Sequence, residues 1–186
     1  FTSMLKRCIL SQWALLESLD RVWIPVVTDW RLNERHYGAL TGLSKTVAIE
    51  TYGEDAVQRW RRSFDVAPPA GHGEGRGYVL IDERYAHLPV GAIPHGESLA
   101  QVVDRLRPMW EQVIGPALRR GQRVLVTGHG NSLRALMMMV EHLPENAVTS
   151  VEVANAIPLV YTLDAWLQVV DKQEHGVATS APSEIL

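Results

Sequence analysis

One segment of the 186-residue sequence constrains the fold more than any other: RVLVTGHGNSLRALMMMVEH, at residues 123–142. Its beginning, RVLVTG, predicts a buried β-strand, and residues 131–142 have the apolar spacing of a helix. The strand must therefore pass almost directly into the helix. Open α/β sheets bind ligands beyond the carboxyl ends of such strands, where a helix N-terminus favours an anion. We expect His129 at such an anion site, although a tight glycine turn with an incidental histidine would give the same pattern.

The rest of the chain alternates between predicted helices and strands. Helices are expected over residues 3–19, 46–52, 54–64 and 97–118, and strands over residues 23–27 and 157–163. Buried strands that alternate with helices indicate a parallel sheet in an α/β domain. Ser3 is a suitable N-cap for the first helix, and Pro108 and Pro116 should bend or end the longest one. The Pro/Gly-rich stretch 66–78 predicts an excursion, and the polar tail 173–186 predicts disorder.

Composition limits the classes of partner. The net charge of -3 gives no reason to expect nucleic acid or an acidic membrane surface. No apolar run approaches the roughly 20 residues of a membrane span. The single cysteine, Cys8, fits a reducing compartment such as the cytoplasm, and it shares the apolar pattern of the first helix with Trp13 and Leu19. The seven histidines show no metal-ligand spacing, so no metal site is expected.

A loop at residues 31–38, RLNERHYG, concentrates charged and aromatic side chains. Glu34 stands between Arg31 and Arg35, and such a group is often no more than a solvated ion pair. The functional interpretation makes Glu34 a proton donor and acceptor beside a phosphate. Both interpretations are open at this point.

Further arginines could supply anion ligands. Arg61 and Arg62 follow Trp60 in a predicted helix, where they form either an exposed basic face or a clamp on phosphate or carboxylate. Arg7 lies in the first turns of the first helix and could also face an anion. Several cations, one carboxylate and a histidine at a strand end together suit phosphoryl chemistry.

These motifs closely resemble the cofactor-dependent phosphoglycerate mutases of the histidine phosphatase superfamily. The matching segments are, in order, FTSMLKR, WRLNERHYGALTGLSK, RWRRSFDVAPP, VLVTGHGNSLRAL and IPLVYTLD. The resemblance implies a three-layer α/β/α fold with a mostly parallel sheet, in one domain over residues 1–172. It also implies that the family's first strand, which ends in Arg-His-Gly-Glu and carries the phosphohistidine, belongs before Phe1. The chain alone is therefore expected to be inactive.

The resemblance also assigns roles to residues. Glu34 is the proton donor and acceptor, and His129 stabilises the transferring phosphoryl group as an imidazolium. The implied substrate-binding residues are Arg7, Arg35, His36, Tyr37, Lys45, Arg61, Arg62, Gly130 and Asn131. The implied reaction interconverts 3-phosphoglycerate and 2-phosphoglycerate in glycolysis and gluconeogenesis, with 2,3-bisphosphoglycerate as the priming cofactor. The partner is then a small phosphorylated three-carbon acid, and homo-oligomerisation is left open.

Two alternatives stay open beside this isomerase. One is a bisphosphoglycerate mutase or phosphatase of the same superfamily, and the other is a non-catalytic remnant that only binds an anion. A second segment, PHGES at residues 94–98, resembles the absent Arg-His-Gly-Glu motif superficially. We therefore expect no catalytic role for His95, and we expect Glu97 to interact with the N-terminal dipole of the long helix.

Overall fold

The computed structural model of the protein describes residues 1–71 and 82–176. Parts of the expected excursion and tail, residues 72–81 and 177–186, lie outside the described residues. Contacts divide the chain into two compact units, the first with residues 1–34 and 102–176, the second with residues 35–71 and 82–101. In the described ranges, no helix is both long enough and apolar enough to cross a lipid bilayer.

Helices account for most of the regular structure. They are α1 (Lys6–Ser18), α2 (Lys45–Tyr52), α3 (Glu54–Arg62), α4 (Leu99–Met109), α5 (Gly115–Arg119), α6 (Gly130–Glu141) and α7 (Glu145–Val148). Short 3₁₀ helices span Trp30–Leu32, Gly38–Leu40 and Glu83–Tyr85. The longest helix does not end early at its prolines: a π-helical turn at Trp110–Ile114 joins α4 to α5, so helical residues continue from Leu99 to Arg119. Pro108 lies inside α4, and Pro116 lies in the first turn of α5.

The parallel part of the first unit consists of three extended segments that pair around Thr2. Thr2 forms parallel β-bridges with both Thr28 and Thr127. The backbone N–H of Thr2 donates to Val27 O at 3.0 Å, and that of Thr127 donates to Phe1 O at 3.0 Å. The pairing confirms parallel neighbours, but residues 123–127 are not the fully buried strand that their apolar character predicts. Arg123 is exposed and the following residues are half-buried.

A hairpin completes the first unit. Strand β1 (Leu159–Leu163) pairs antiparallel with β2 (Val169–Glu174). The expected strand at 157–163 is therefore confirmed, with a later start. Because β2 includes Gln173 and Glu174, the prediction that the disordered tail begins at residue 173 is wrong. A polar, exposed segment can still form a strand when its backbone pairs with an apolar neighbour such as β1.

Helix α1 begins later than predicted, and its buried face differs in part from the predicted one. It begins at Lys6, and Ser3 is not its N-cap, because Leu5 holds that position. The buried face contains Cys8, Gln12 and Leu16, whereas Trp13 is 68% exposed and Leu19 is 55% exposed. Gln12 is buried because its Oε1 accepts a hydrogen bond from the Thr127 hydroxyl at 2.7 Å. Cys8 and Leu16 of the predicted apolar stripe are therefore confirmed as buried, whereas Trp13 and Leu19 of that stripe are not.

The second unit has a small apolar core of its own. Leu40, Ala48 and Val57 are fully buried, and the Tyr52 and Trp60 rings pack edge to face at 5.5 Å. Gly38 has a positive φ of +57° and lies close to the Pro69 backbone. The N–H of the adjacent Ala39 donates to Pro69 O at 2.9 Å. A Cβ on Gly38 would lie 2.1 Å from Pro69 O, which is a severe overlap.

We predict that Gly38→Ala destabilises the protein more than Gly42→Ala does. Gly42 has a similar positive φ of +81° but nothing within 4 Å of its ideal Cβ, so it isolates the cost of the backbone conformation. The overlap at Gly38 should add about 1–3 kcal/mol to the loss of unfolding free energy. Urea denaturation of both variants measures the difference, and equal midpoints would contradict the packing argument.

Candidate functional site

His129 lies where the sequence analysis places it, between the Thr127 bridge and the first turn of α6. It is the N-cap residue of α6, and its side chain is buried. The Ser132 hydroxyl accepts the His129 backbone N–H at 2.9 Å. Gly130 and Asn131 occupy the first positions of α6, where backbone N–H groups have no intrahelical acceptor. The local geometry therefore combines a histidine ring with the donor end of a 12-residue helix.

Both ring nitrogens of His129 have partners, and these partners fix the tautomer. Arg7 Nε donates to Nδ1 at 3.2 Å. An arginine nitrogen can only donate, so Nδ1 carries no proton. The ring proton is then on Nε2, which lies 2.8 Å from Ser3 Oγ. Ser3 Oγ accepts this proton and also accepts the Leu5 backbone N–H at 3.2 Å.

The electrostatic environment agrees with a neutral ring. Burial, followed by the positive charges of Arg7 and Arg105, lowers the pKa of His129 to about 3. His129 is therefore a neutral imidazole near pH 7 in this structure. The expected imidazolium is not what this arrangement favours, because two neighbouring guanidinium groups oppose a third positive charge.

Glu34 lies against the N-terminus of α6. Its Oε1 accepts the Asn131 backbone N–H at 3.3 Å. Its Oε2 is 3.9 Å from the position that a Cβ on Gly130 would take. Arg31, the neighbour expected to pair with Glu34, instead forms an ion pair with Asp29 at 2.6 Å, which raises the pKa of Arg31. The first unit thus brings Glu34 together with the α6 terminus, against the interpretation of a loop ion pair with Arg31.

Cys8 lies beside His129 as a core residue. It is 5% exposed, and its Sγ donates to Gly128 O at 3.2 Å. Burial raises the pKa of the Cys8 thiol, so the group is not a thiolate nucleophile at neutral pH. The structure agrees with the expected packing role.

The remaining candidates belong to the second unit. Arg35 is buried, and its guanidinium lies 4.7 Å from the centre of the Tyr37 ring. Lys45 is the first residue of α2 and is exposed. Arg61 and Arg62 end α3, with Arg62 exposed and Arg61 half-buried. Both arginines thus lie at the C-terminal end of α3, a position that is compatible with either interpretation of this pair.

His36 has a partner that the sequence analysis missed. Glu97 Oε2 accepts the His36 backbone N–H at 2.9 Å and lies 2.9 Å from His36 Nδ1. The Glu97 backbone N–H donates in turn to His36 O at 2.7 Å. Glu97 is fully buried and precedes α4, so the prediction of a helix-dipole role in the first turn is wrong. The carboxylate holds Nδ1 and orients the imidazole, leaving Nε2 to point away from it.

Ser3 was also missed as a site residue, because a serine near a helix start predicts a cap. The FTS segment gives no local signal that its hydroxyl reaches a histidine 126 residues away. The PHGES segment likewise gives no signal that its glutamate, rather than its histidine, makes the tertiary contact.

Comparison with known proteins identifies relatives. Residues 1–88 and 78–171 match the profile of the histidine phosphatase superfamily (branch 1). The 2,3-bisphosphoglycerate-dependent phosphoglycerate mutase of Pasteurella multocida is 47% identical over 172 residues, which are 92% of this chain and 76% of that protein. The 2,3-bisphosphoglycerate-dependent phosphoglycerate mutase 2 of Lactiplantibacillus plantarum is 44% identical over 176 residues, 95% of this chain and 76% of that protein.

Solved structures show the same fold at lower identity. The mycobacterial glucosyl-3-phosphoglycerate phosphatase in complex with inorganic phosphate has a TM-score of 0.64 and 22% identity, over 96% of this chain and 75% of that one. The native structure of the same phosphatase has a TM-score of 0.62 and 21% identity, over 97% and 76%. This likeness confirms the α/β fold that the sequence predicts.

We predict that His129 makes the protein lose stability as pH falls. The pKa of His129 is about 3 when folded and 6.5 in the reference state, so between these values the unfolded chain binds the additional proton. Unfolding free energy then falls with decreasing pH by up to about 1.4 kcal/mol per unit. His129→Gln, whose amide can keep a donor and an acceptor, removes this contribution. Urea unfolding from pH 7 to 5 should give a shallower decline for the variant, with His87→Gln, at an exposed position, as control. Parallel curves for all three proteins would contradict the assignment.

Proposed function

We propose that this chain, which belongs to the histidine phosphatase superfamily (branch 1), carries the phosphate-binding and proton-transfer groups of a 2,3-bisphosphoglycerate-dependent phosphoglycerate mutase. Such an enzyme interconverts 3-phosphoglycerate and 2-phosphoglycerate, as an isomerase of glycolysis and gluconeogenesis in the cytoplasm. The relatives that bear this name, at 44% and 47% identity, support the proposal.

One observation carries the proposal, namely the set of groups at the N-terminus of α6. Arg7 and His129 stand beside backbone N–H donors, and the Glu34 carboxylate contacts the same helix end. Guanidinium and backbone N–H groups bind phosphate oxygens well. The Glu34 carboxylate is itself negatively charged, so it is better suited to carry a proton than to bind the anion.

This donor set also fits the cofactor. Arg7, His129 and the N–H group of Gly130 would hold one phosphoryl group of 2,3-bisphosphoglycerate, beside Asn131, whose N–H donates to Glu34 Oε1. When bound, the cofactor supplies the phosphoryl group that primes the enzyme. Within that arrangement Arg7 would neutralise negative charge, and the N-terminus of α6 would supply hydrogen-bond donors to the phosphoryl group.

Glu34 is the proton carrier in the proposal. A substrate hydroxyl takes the phosphoryl group from the phosphohistidine that the family resemblance implies, so an O–P bond forms as the N–P bond breaks, and the Glu34 carboxylate takes the hydroxyl proton. When the phosphoryl group on the other substrate oxygen returns to that histidine, Glu34 gives the proton to the oxygen that is released. A carboxylate within reach of both oxygens can serve each direction in turn. His129 stabilises the charge on the transferring group, and an anion beside it favours the imidazolium, opposite to the effect of Arg7 and Arg105.

Residues of the second unit contribute to recognition in this proposal. Arg35, His36, Tyr37, Lys45, Arg61 and Arg62 bind the carboxylate and phosphate of phosphoglycerate, as the family resemblance implies. Glu97 fixes the orientation of the His36 ring, which supports a role for His36 as a hydrogen-bond partner of the substrate. The Arg35 guanidinium is placed 4.7 Å from the centre of the Tyr37 ring, which supports the same role for Arg35.

The direct test is the conversion of 3-phosphoglycerate into 2-phosphoglycerate by the full-length protein, with and without 2,3-bisphosphoglycerate. Conversion that depends on the bisphosphate supports the mutase. Release of inorganic phosphate in place of conversion would assign a phosphatase of the same superfamily. Anion binding without either reaction would assign a binding remnant.

We predict that Glu34→Gln lowers kcat of the full-length protein by roughly 10²–10⁴ with little change in KM. The amide keeps the size and an acceptor for the Asn131 N–H, but it cannot take up a proton. Steady-state kinetics measure the effect, with Glu17→Gln on the exposed side of α1 as control. An unchanged kcat would return Glu34 to a structural role.

We also predict that anion binding is coupled to protonation of His129. Sulfate is a suitable probe because it stays a dianion between pH 5 and 8, whereas phosphate titrates there. Its charge should draw the Arg7 guanidinium away from Nδ1 and raise the pKa of His129. Calorimetric titration at pH 6 in buffers of different ionisation enthalpy should show proton uptake that His129→Gln abolishes. Equal uptake by both proteins, or none, would contradict the cationic role.

A further inference from the structure

A guanidinium group from α4 holds the loop that carries Glu34. Arg105 Nη1 donates to Arg31 O at 2.5 Å, and Nη2 donates to Asn33 O at 2.9 Å and to Glu34 O at 3.3 Å. The same group lies 5.7 Å from the centre of the Trp30 ring. All of these residues belong to the first unit, and Arg105 is half-buried.

The chemistry of these contacts is specific to arginine. The acceptors are carbonyl oxygens at the end of a 3₁₀ helix, Trp30–Leu32, where carbonyls lack intrahelical donors and carry partial negative charge. The planar guanidinium presents several N–H groups in a fixed fork, which matches successive carbonyls along a turning backbone. A lysine ammonium keeps the charge but cannot reproduce the fork.

Two further hydrogen bonds attach this loop to the N-terminal segment. The Asp29 backbone N–H donates to Thr2 O at 3.0 Å, and Asn33 Oδ1 accepts the Met4 backbone N–H at 2.9 Å. Arg105, by contrast, contacts the backbone of Glu34 itself. The Glu34 side chain extends from that backbone to the Asn131 amide.

We propose that Arg105 is a positioning residue for Glu34, because it fixes the backbone from which the Glu34 carboxylate reaches the N-terminus of α6. The catalytic part of this inference rests on the proposed function, in which Glu34 carries the proton. Its structural part, the link between Arg105 and the Glu34–Asn131 contact, is measurable without any activity.

The experiment compares Arg105→Lys with Arg107→Lys, an exposed arginine two residues further along α4. The first readout is the ¹H–¹⁵N resonance of the Asn131 amide in isotope-labelled protein. In Arg105→Lys it should move toward its position in Glu34→Ala, and Arg107→Lys should leave it in place. Amide exchange at Leu32 and Asn33, whose N–H groups bond to Asp29 O and Trp30 O, should become about tenfold faster or more.

The second readout is kinetic and uses the full-length protein. Arg105→Lys should lower kcat by roughly 10–10² with little change in KM, since a displacement of about 1 Å is sufficient for such a loss. In Arg105→Ala, millimolar guanidinium chloride should restore part of kcat, whereas sodium chloride at equal concentration should not. Rescue by the free cation is a response that a general loss of folding would not give.

The outcomes separate the inference from the function on which it rests. An Asn131 resonance and Leu32 exchange that do not change in Arg105→Lys overturn the inference, whatever the activity. A shifted resonance with unchanged kcat overturns the positioning role, and a raised KM with unchanged kcat assigns Arg105 to substrate binding instead. If the unsubstituted full-length protein shows no mutase activity, the proposed function fails, while the resonance shift still decides whether Arg105 positions Glu34.

Discussion

The pairing of Thr2 with two neighbours at once is the interaction on which the first unit depends. Its backbone joins Thr28 on one side and Thr127 on the other. The next residue, Ser3, therefore lies beside the start of α6, where its hydroxyl accepts the Nε2 proton of His129. Parallel pairing brings the carboxyl ends of the segments to one edge. The tripeptide of residues 1–3 therefore provides both the sheet contacts and the hydrogen bond that orients the His129 ring.

The charge distribution at this edge explains why the site suits a dianion. Arg7 and Arg105 supply positive charge, and the first turn of α6 adds oriented N–H dipoles. Burial prevents water from screening these charges fully, so His129 stays neutral. An arriving dianion would be neutralised by Arg7 and the helix end, and the imidazole could then accept a proton. The low pKa of His129 thus arises first from burial and then from the positive charges of Arg7 and Arg105, and a bound dianion would offset the second cause.

The sequence predicts those parts of the site that are encoded by neighbouring residues. The turn from Thr127 into α6 is one such part, because strand-like and helical periodicities meet there and position His129. Ser3 illustrates what could not be predicted. A serine ahead of an apolar helix predicts a cap, but the tertiary contact with His129 prevails over the local one. Gln12 and Trp13 show the same effect, since one hydrogen bond to Thr127 turns a polar residue inward.

The two candidate residues Glu34 and His36 belong to different units, yet each is held in the same way. Neither lies in a regular helix or strand, so local backbone hydrogen bonds do not fix them. Arg105 holds the backbone of Glu34 over 71 residues of sequence, and Glu97 holds His36 over 61. Loss of either charged partner would leave buried or half-buried hydrogen-bonding groups of these loops without that contact, which costs stability. Glu97, which precedes α4, and Arg105, which lies within it, therefore set the geometry of the two candidate residues, although neither carries a proton in the proposed chemistry.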